Sequence, residues 1–279
     1  RRQPAALEQL VHAALVRYAR YLDPETGTRC EPERLIKWMG LQRRMRNRFA
    51  SPVYAPNLSR WKKAIVQRYS QGSEVRFLEK ADDFPGEGTL AVWGRPADVE
   101  QFAEQRVFLE DGFLRSVGLG ADLVQPLSWV IDRTGIYYDS SRASDLENIL
   151  RTAVFDDMLR RRAAALRERI VAANLTKYNV GSGRWQRPAG ATSVILVPGQ
   201  VETDASIKYG SPVVRRNMDL LKAVGTANPH AYVVYKPHPD VVAGLRDAGQ
   251  DEQQALDWCN EVVVDYPIGE LFASVDEVH

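Results

Sequence analysis

What most constrains this chain is a rhythm. From about residue 74 onward, short apolar runs alternate with stretches of helical pattern, and they do so in two sets. The first set holds VRFL, LAVW, RVFLE and GIYY, then Ser144 and Glu147 in the S-x-x-E pattern of a capping box and an Ala- and Arg-rich helix near 153–173. The second holds SVILVPG, a helix around 216–225, AYVVYKPHPD, a helix near 250–258 and EVVVD. Strands separated by helices make parallel sheets through crossover connections. Two such sets joined by VGSGRWQRPAG at 180–190 predict an α/β protein of two Rossmann-like lobes with a cleft between them.

Residues 1–73 read differently. Apolar Leu7, Leu10, Val11, Ala14 and Leu15 suit a helix over 4–22, stopped at Asp23-Pro24. A second helix is expected over 31–48, and a third, SRWKKAIVQRY, is capped by Ser59 and turns Trp61 and Val66 inward. The expected division is therefore a helical, basic segment over 1–73, a first lobe over 74–178 and a second over 179–279. DEVH ends the sequence just after a strand-to-loop step where another helix is expected, so the second lobe reads as incomplete and the sequence as part of a longer one.

The net charge of +1 conceals an asymmetry. Between Arg29 and Arg76 there are twelve Lys/Arg against three Asp/Glu, leaving +9 there and −8 elsewhere. RLIKWMGLQRRMRNRF interleaves these cations with Leu, Trp, Met and Phe, a pattern that suits a helix lying on an anionic membrane surface or on a polyanionic product. The other reading is a solvated helix with one apolar face docked on the core. Nucleic acid is a poor candidate, because no reader motif accompanies the charge. No apolar run approaches the roughly 20 residues of a membrane span, the first residues do not form a secretory signal, and two isolated cysteines, Cys30 and Cys259, point to a reducing compartment, the cytoplasm by default.

Three polar clusters follow apolar strands, where open parallel sheets bind ligands. RVFLEDGFLRS carries Glu110, Asp111, Arg115 and Ser116. VPGQVETDAS carries Gln200, Asp204 and Ser206. YKPHPD carries Lys236, His238 and Asp240. Lys236 and His238 can clamp a phosphate as a leaving group, or His238 can sit in a Pro-rich turn. Asp204 can be a nucleophile or base, or a helix N-cap. Glu110 and Asp111 can be an acid or base, or can orient Arg115. There is no phosphate-binding G-x-x-x-x-G-K-[ST], no complete dinucleotide fingerprint, no D-x-D for a metal-bound sugar nucleotide, no zinc spacing and no G-x-S-x-G elbow.

Taken in order, AVWGR, LEDGFLRSVGLGADLVQPLSWVIDRTGIYYDSSRASDLE, ILVPGQVETDASI, YVVYKPHPDVVAGLR and DEVH resemble the KpsC-type capsular polysaccharide β-Kdo transferases over most of residues 90–279. Proteins of this type carry two transferase modules in tandem, and LVHAALVRYARYLDPETGTRCEPE looks like the close of one, so that residue 30 onward begins a second beside its sister module. The resemblance implies a GT-B fold and a retaining glycosyltransferase without metal or cofactor. It implies CMP-Kdo as donor, held mainly by the second lobe, and a Kdo-terminated glycolipid as acceptor, held by the first. That acceptor places the protein in the cytoplasm at the inner face of the membrane. Carried over by motif, Asp204 is the nucleophile, Glu110 its acid/base partner, and Lys236 and His238 the phosphate site. Gln200, Ser206, Arg115, Ser116 and His279 are expected to bind substrate. Two other readings stand beside this one: a GT-B transferase for another nucleotide sugar, and a non-catalytic carbohydrate- or lipid-binding module of a larger synthase.

Overall fold

The computed structural model describes residues 4–49, 52–96 and 99–279. The helix expected over 4–22 is divided. α1 (Leu7–Val11) runs into a π-helical segment, His12–Tyr18, and the chain then makes a small antiparallel ribbon of β1 (Tyr21–Leu22) and β2 (Arg29–Cys30). Asp23-Pro24 opens the turn of this ribbon, and Asp23 pairs at 2.7 Å with Arg34 in the helix that follows it. α2 (Pro32–Arg46) starts on a proline, which has no N–H to leave unsatisfied at a helix start. None of its fifteen residues is buried, and Ile36, Met39, Leu41 and Met45 are exposed. The reading in which its apolar face docks on the core is thus overturned for this helix.

The first sheet begins earlier than residue 74. β3 (Val53–Pro56) is fully buried and lies inside the segment expected to be helical. α3 (Arg60–Tyr69) follows; its Ser59 cap accepts the Lys62 N–H, and Ile65 and Val66 enter the core. β4 (Val75–Leu78), β5 (Thr89–Trp93), β6 (Arg106–Asp111) and β7 (Trp129–Asp132) complete a five-stranded sheet of order β4-β3-β5-β6-β7. It is parallel except at its edge, where β7 runs antiparallel to β6. The stretch GIYY, expected as a strand, is instead irregular: Ile136 is buried, and the strand lies upstream at WVID. Apolar clusters cover both faces of the sheet, one around Val53, Val66 and Leu109 and the other around Leu90, Phe108 and Ile136.

α4 (Asp145–Thr152) opens with the expected capping box between Ser144 and Glu147. α5 (Asp157–Ala172) is capped by Asp156 and, like α2, buries none of its residues. The second sheet is wholly parallel, order β10-β9-β8-β11, from β8 (Val194–Pro198), β9 (Tyr232–Lys236), β10 (Glu261–Val262) and β11 (Glu277–Val278). Between these strands lie α6 (Ala205–Gly210), α7 (Asn217–Ala227), α8 (Pro239–Val242), a 3-10 turn at Glu252–Asp257 and α9 (Ile268–Phe272). Leu221 and Val224 of α7 pack on one face of this sheet, and Trp185 and Leu271 on the other. Strands buried on both faces read as continuous apolar runs, which is why VILV and YVVY stand out in the sequence.

Among the described residues, hydrogen bonds tie the two lobes together at two places. In the connecting segment, the carbonyl of Lys177 accepts the N–H groups of Arg115 and Ser116, and that of Tyr178 accepts Gly118 N–H. At the other, Ser140 donates from its N–H and its Oγ to the Tyr209 carbonyl at the end of α6. The guanidinium of Arg95 lies 4.5 Å from the Tyr209 ring at the same place.

Candidate active site

The carboxyl ends of both sheets face one cavity of about 700 Å³, within the span of small-molecule sites. β6 delivers Glu110 to it from the first lobe. Glu110 accepts the Asp111 N–H at 3.0 Å and, at a long 3.5 Å, the Tyr138 hydroxyl. Burial raises its pKa above the ordinary glutamate value, and the adjacent Asp111 carboxylate adds to the effect. Tyr137 and Tyr138 are likewise held neutral by burial, so both enter the cavity as hydroxyl donors.

Asp204 reaches the same cavity from the second lobe, six residues beyond the end of β8. The intervening loop is fixed by Asn217, which donates to Gln200 O and accepts Gln200 N–H, both at 2.8 Å. Gly199 is required here: a Cβ would stand 2.5 Å from the Tyr235 hydroxyl. Asp204 caps α6, its Oδ1 accepting both the N–H of Ser206 at 2.9 Å and its Oγ at 2.7 Å. Oδ2 has no hydrogen bond among the described residues. The cap and the reactive carboxylate, alternatives in sequence, are therefore compatible: one oxygen is held by Ser206 while the other keeps no hydrogen bond among the described residues, on a residue that lines the cavity.

A second cavity of about 270 Å³ opens beside the first, sharing Lys177, Tyr178, Gln200 and His238 with it. Its walls include Lys236, Pro237, Val264 and Ile268. The Lys236 ammonium donates to Val264 O at 2.9 Å, and burial lowers its pKa. His238 caps α8 through Nδ1, which accepts Asp240 N–H at 3.2 Å. An accepting Nδ1 puts the ring proton on Nε2. Burial depresses the imidazole pKa as well, so His238 is a neutral hydrogen-bond donor near pH 7 rather than a second cation.

The sequence candidates thus separate. Glu110, Arg115, Gln200, Asp204, Ser206 and His238 meet on the larger cavity, and Lys236 lines the smaller. Arg115 is buried and spent on Asp111 at 2.5 Å and on Val124 O at 2.8 Å. Ser116 lines neither cavity; it receives Arg115 and donates to Gly118 O. His279 also stands apart, at the end of β11, where its ring pairs with Glu277 at 3.1 Å. Unforeseen residues on the larger cavity include Lys62, Trp93, Tyr138, Lys177 and Arg246. Of these, Trp93 ends a strand and Arg246 closes the stretch YVVYKPHPDVVAGLR, whereas Lys62 and Lys177 sit in stretches whose charge alone reads as solvated surface. Among the described residues no group of three His, Cys, Asp or Glu is placed to hold a metal ion, and no helix is long and apolar enough to cross a membrane.

Two Rossmann-like lobes presenting carboxylates and cations to one cleft define a GT-B-like architecture. The chain belongs to the family of capsule polysaccharide biosynthesis proteins, whose sequence model matches residues 95–279. It is similar along its whole length to the capsule polysaccharide modification protein LipA of Neisseria meningitidis serogroup A, at 37% identity over 291 residues, and spans 41% of that protein. It is also similar to the lipopolysaccharide-processing protein LpsZ of Rhizobium meliloti, at 42% identity over 61% of this chain and 40% of that one. The chain therefore spans about two fifths of the length of these curated relatives. Among solved structures, the beta Kdo 2,7 transferase of Thermosulfurimonas dismutans KpsC superposes with a TM-score of 0.63 at 34% identity, covering 82% of this chain and 72% of that one. The beta Kdo 2,4 transferase of the same protein gives 0.62 at 25% identity, covering 80% and 72%.

Proposed function

We propose that this chain is a retaining β-Kdo transferase module that moves Kdo from CMP-Kdo to a Kdo-terminated glycolipid in capsule synthesis. The observation that carries this reading is the meeting of Asp204 and Glu110, from opposite lobes, on one cavity that continues past His238 into a smaller one. Cytidine fits the smaller, partly apolar cavity, its phosphate beside Lys236 and His238. Asp204 Oδ2 attacks the anomeric carbon as the bond to the CMP oxygen breaks and its electron pair leaves with the phosphate. In the second step the acceptor hydroxyl oxygen attacks that carbon, its proton passes to Glu110, and the Asp204 carboxylate departs. Two displacements retain configuration. The raised pKa of Glu110 makes it a stronger base than an exposed glutamate. Lys236 supplies positive charge to the leaving phosphate and His238 a hydrogen bond, so the reaction proceeds without a metal or other cofactor.

The higher identity to the 2,7 transferase, 34% against 25%, favours that linkage. The unburied, cationic α2 suits the anionic inner face of the cytoplasmic membrane, where such an acceptor lies. Incubation with CMP-Kdo and a synthetic Kdo acceptor, with anomeric configuration and linkage read by NMR, tests the proposal. A product of inverted configuration, or none under conditions in which the donor binds, refutes it.

A further inference from the structure

On the first lobe's side of the cavity, the guanidinium groups already have anions. Arg95 pairs with Asp139 at 2.7 Å, and Arg115 with Asp111. Two lysines near Glu110 have no ion pair among the described residues; Lys177, in the connecting segment, is exposed, which leaves Lys62. It projects from the first turn of α3, is half-buried, and has its Nζ 4.5 Å from the centroid of the Trp93 ring. No carboxylate lies within ion-pair distance of it among the described residues, and burial lowers its pKa against the weaker pull of Glu110 and Asp111 from farther off. A partly desolvated ammonium held on an aromatic face gains most from a full negative charge brought to it. Trp93 ends β5 beside Leu109 of β6, so Lys62 stands at the strand edge that carries Glu110, the residue assigned the acceptor's proton. The nucleotide side of the cavity, with Lys236, His238 and Val264, belongs to the other lobe.

We infer that Lys62 binds the carboxylate of the acceptor sugar and makes this centre selective for acceptors that end in an acidic sugar. The inference rests on the proposed reaction for the identity of the acceptor, but its ligand, a sugar carboxylate, is set by the unpaired cation. A role confined to the electrostatics of Glu110 would slow every acceptor alike, whereas a binding role depends on the acceptor's charge.

The test compares a Kdo-terminated acceptor with its methyl ester, which keeps the sugar and removes the charge. The wild-type protein is expected to prefer the acid by about 100-fold in kcat/KM, the scale of one charge-assisted hydrogen bond. Lys62→Met should reduce that preference to about threefold or less, by slowing the acid far more than the ester, with the KM for CMP-Kdo unchanged. Lys62→Arg, which keeps the charge, should retain most of the preference. Equal slowing of acid and ester in Lys62→Met, an intact preference, or a raised donor KM overturns the inference. Calorimetric titration with the two acceptors, donor absent, separates this from the proposed reaction. Tighter binding of the acid that Lys62→Met removes supports it even if no transfer is seen. Equal binding of acid and ester, or binding of neither, refutes it whatever the transfer assay returns.

Discussion

Asp204 is both a helix cap and the proposed nucleophile, and substitution can separate the two. In Asp204→Asn the amide oxygen can take the place of Oδ1 and accept the same two bonds from Ser206, now at 2.9 and 2.7 Å. Asparagine and aspartate are comparable caps, so the melting temperature should move by no more than about 1 °C. Alanine at this position loses the cap, about 1 kcal/mol, or roughly 2–4 °C for a chain of this size. Neither change touches Lys236 or His238 on the strand-end loop after β9, so CMP should bind within about twofold of wild type. Turnover is different, because an amide nitrogen cannot form the bond that Oδ2 forms; loss of a catalytic nucleophile costs about 10⁴-fold or more. Three measurements on each variant suffice: release of CMP from CMP-Kdo in the presence of acceptor, calorimetry with CMP, and thermal unfolding. If Asp204→Asn retains more than about a tenth of wild-type turnover, the carboxylate is only a cap and the two-step reaction is wrong.

Glu110→Gln should abolish transfer, and in the wild-type protein the rising limb of kcat against pH should lie above the ordinary glutamate range of about 4.3, since Glu110 works ionised and burial raises its pKa. Lys236→Ala and His238→Ala should each weaken CMP binding in calorimetry by about tenfold, while excess EDTA leaves turnover unchanged. Gly181→Ala places a Cβ 2.5 Å from Asp265 O at a residue with φ of +96°, so it should cost about 1–3 kcal/mol in urea unfolding and deform the smaller cavity. The guanidinium groups of Arg142 and Arg106 hold Glu100 down to about 2. A depressed carboxyl stabilises the fold above its unfolded pKa and loses that contribution as pH falls toward 2. Glu100 is half-exposed, so Glu100→Gln should cost under about 1 kcal/mol at pH 7 and only a small fraction of that at pH 2.

The strand-end motifs were legible because parallel strands are uniformly apolar and the polar residues that follow them have nowhere else to point than the carboxyl edge. That rule located Glu110, Asp204, Lys236 and His238 on the cavity walls. It failed for β3, four buried residues that follow Pro52 and end in Pro56, because proline within a run argues against an inner strand. Here Pro52 precedes the pairing and Pro56 closes it, so the ladder loses little. GIYY misled for the opposite reason: its apolar and aromatic residues are buried by core and cavity, not by a sheet. His279 satisfies the same strand-end rule, yet its ring turns to Glu277 and it lines neither cavity. Lys62 was hidden because nothing in α3 distinguishes a cation facing a cleft from those facing water; only the approach of Trp93 does.

The two attachments between the lobes, at Lys177–Tyr178 and at Tyr209, have a mechanical consequence. Any rocking of one lobe on the other that keeps both sets of hydrogen bonds must turn about the line joining them, as a door turns on two pins. Asp204 begins the six-residue helix that ends at one pin, and Tyr178 lies at the other beside His238. Groups near the line sweep short arcs and groups far from it sweep long ones. Asp204, Lys236 and His238 ride together on the second lobe and keep their separations whatever the motion, so what the two pins limit is the swing of Glu110 and Lys62 on the first lobe, and the cleft can widen without unmaking the proposed geometry of the first chemical step.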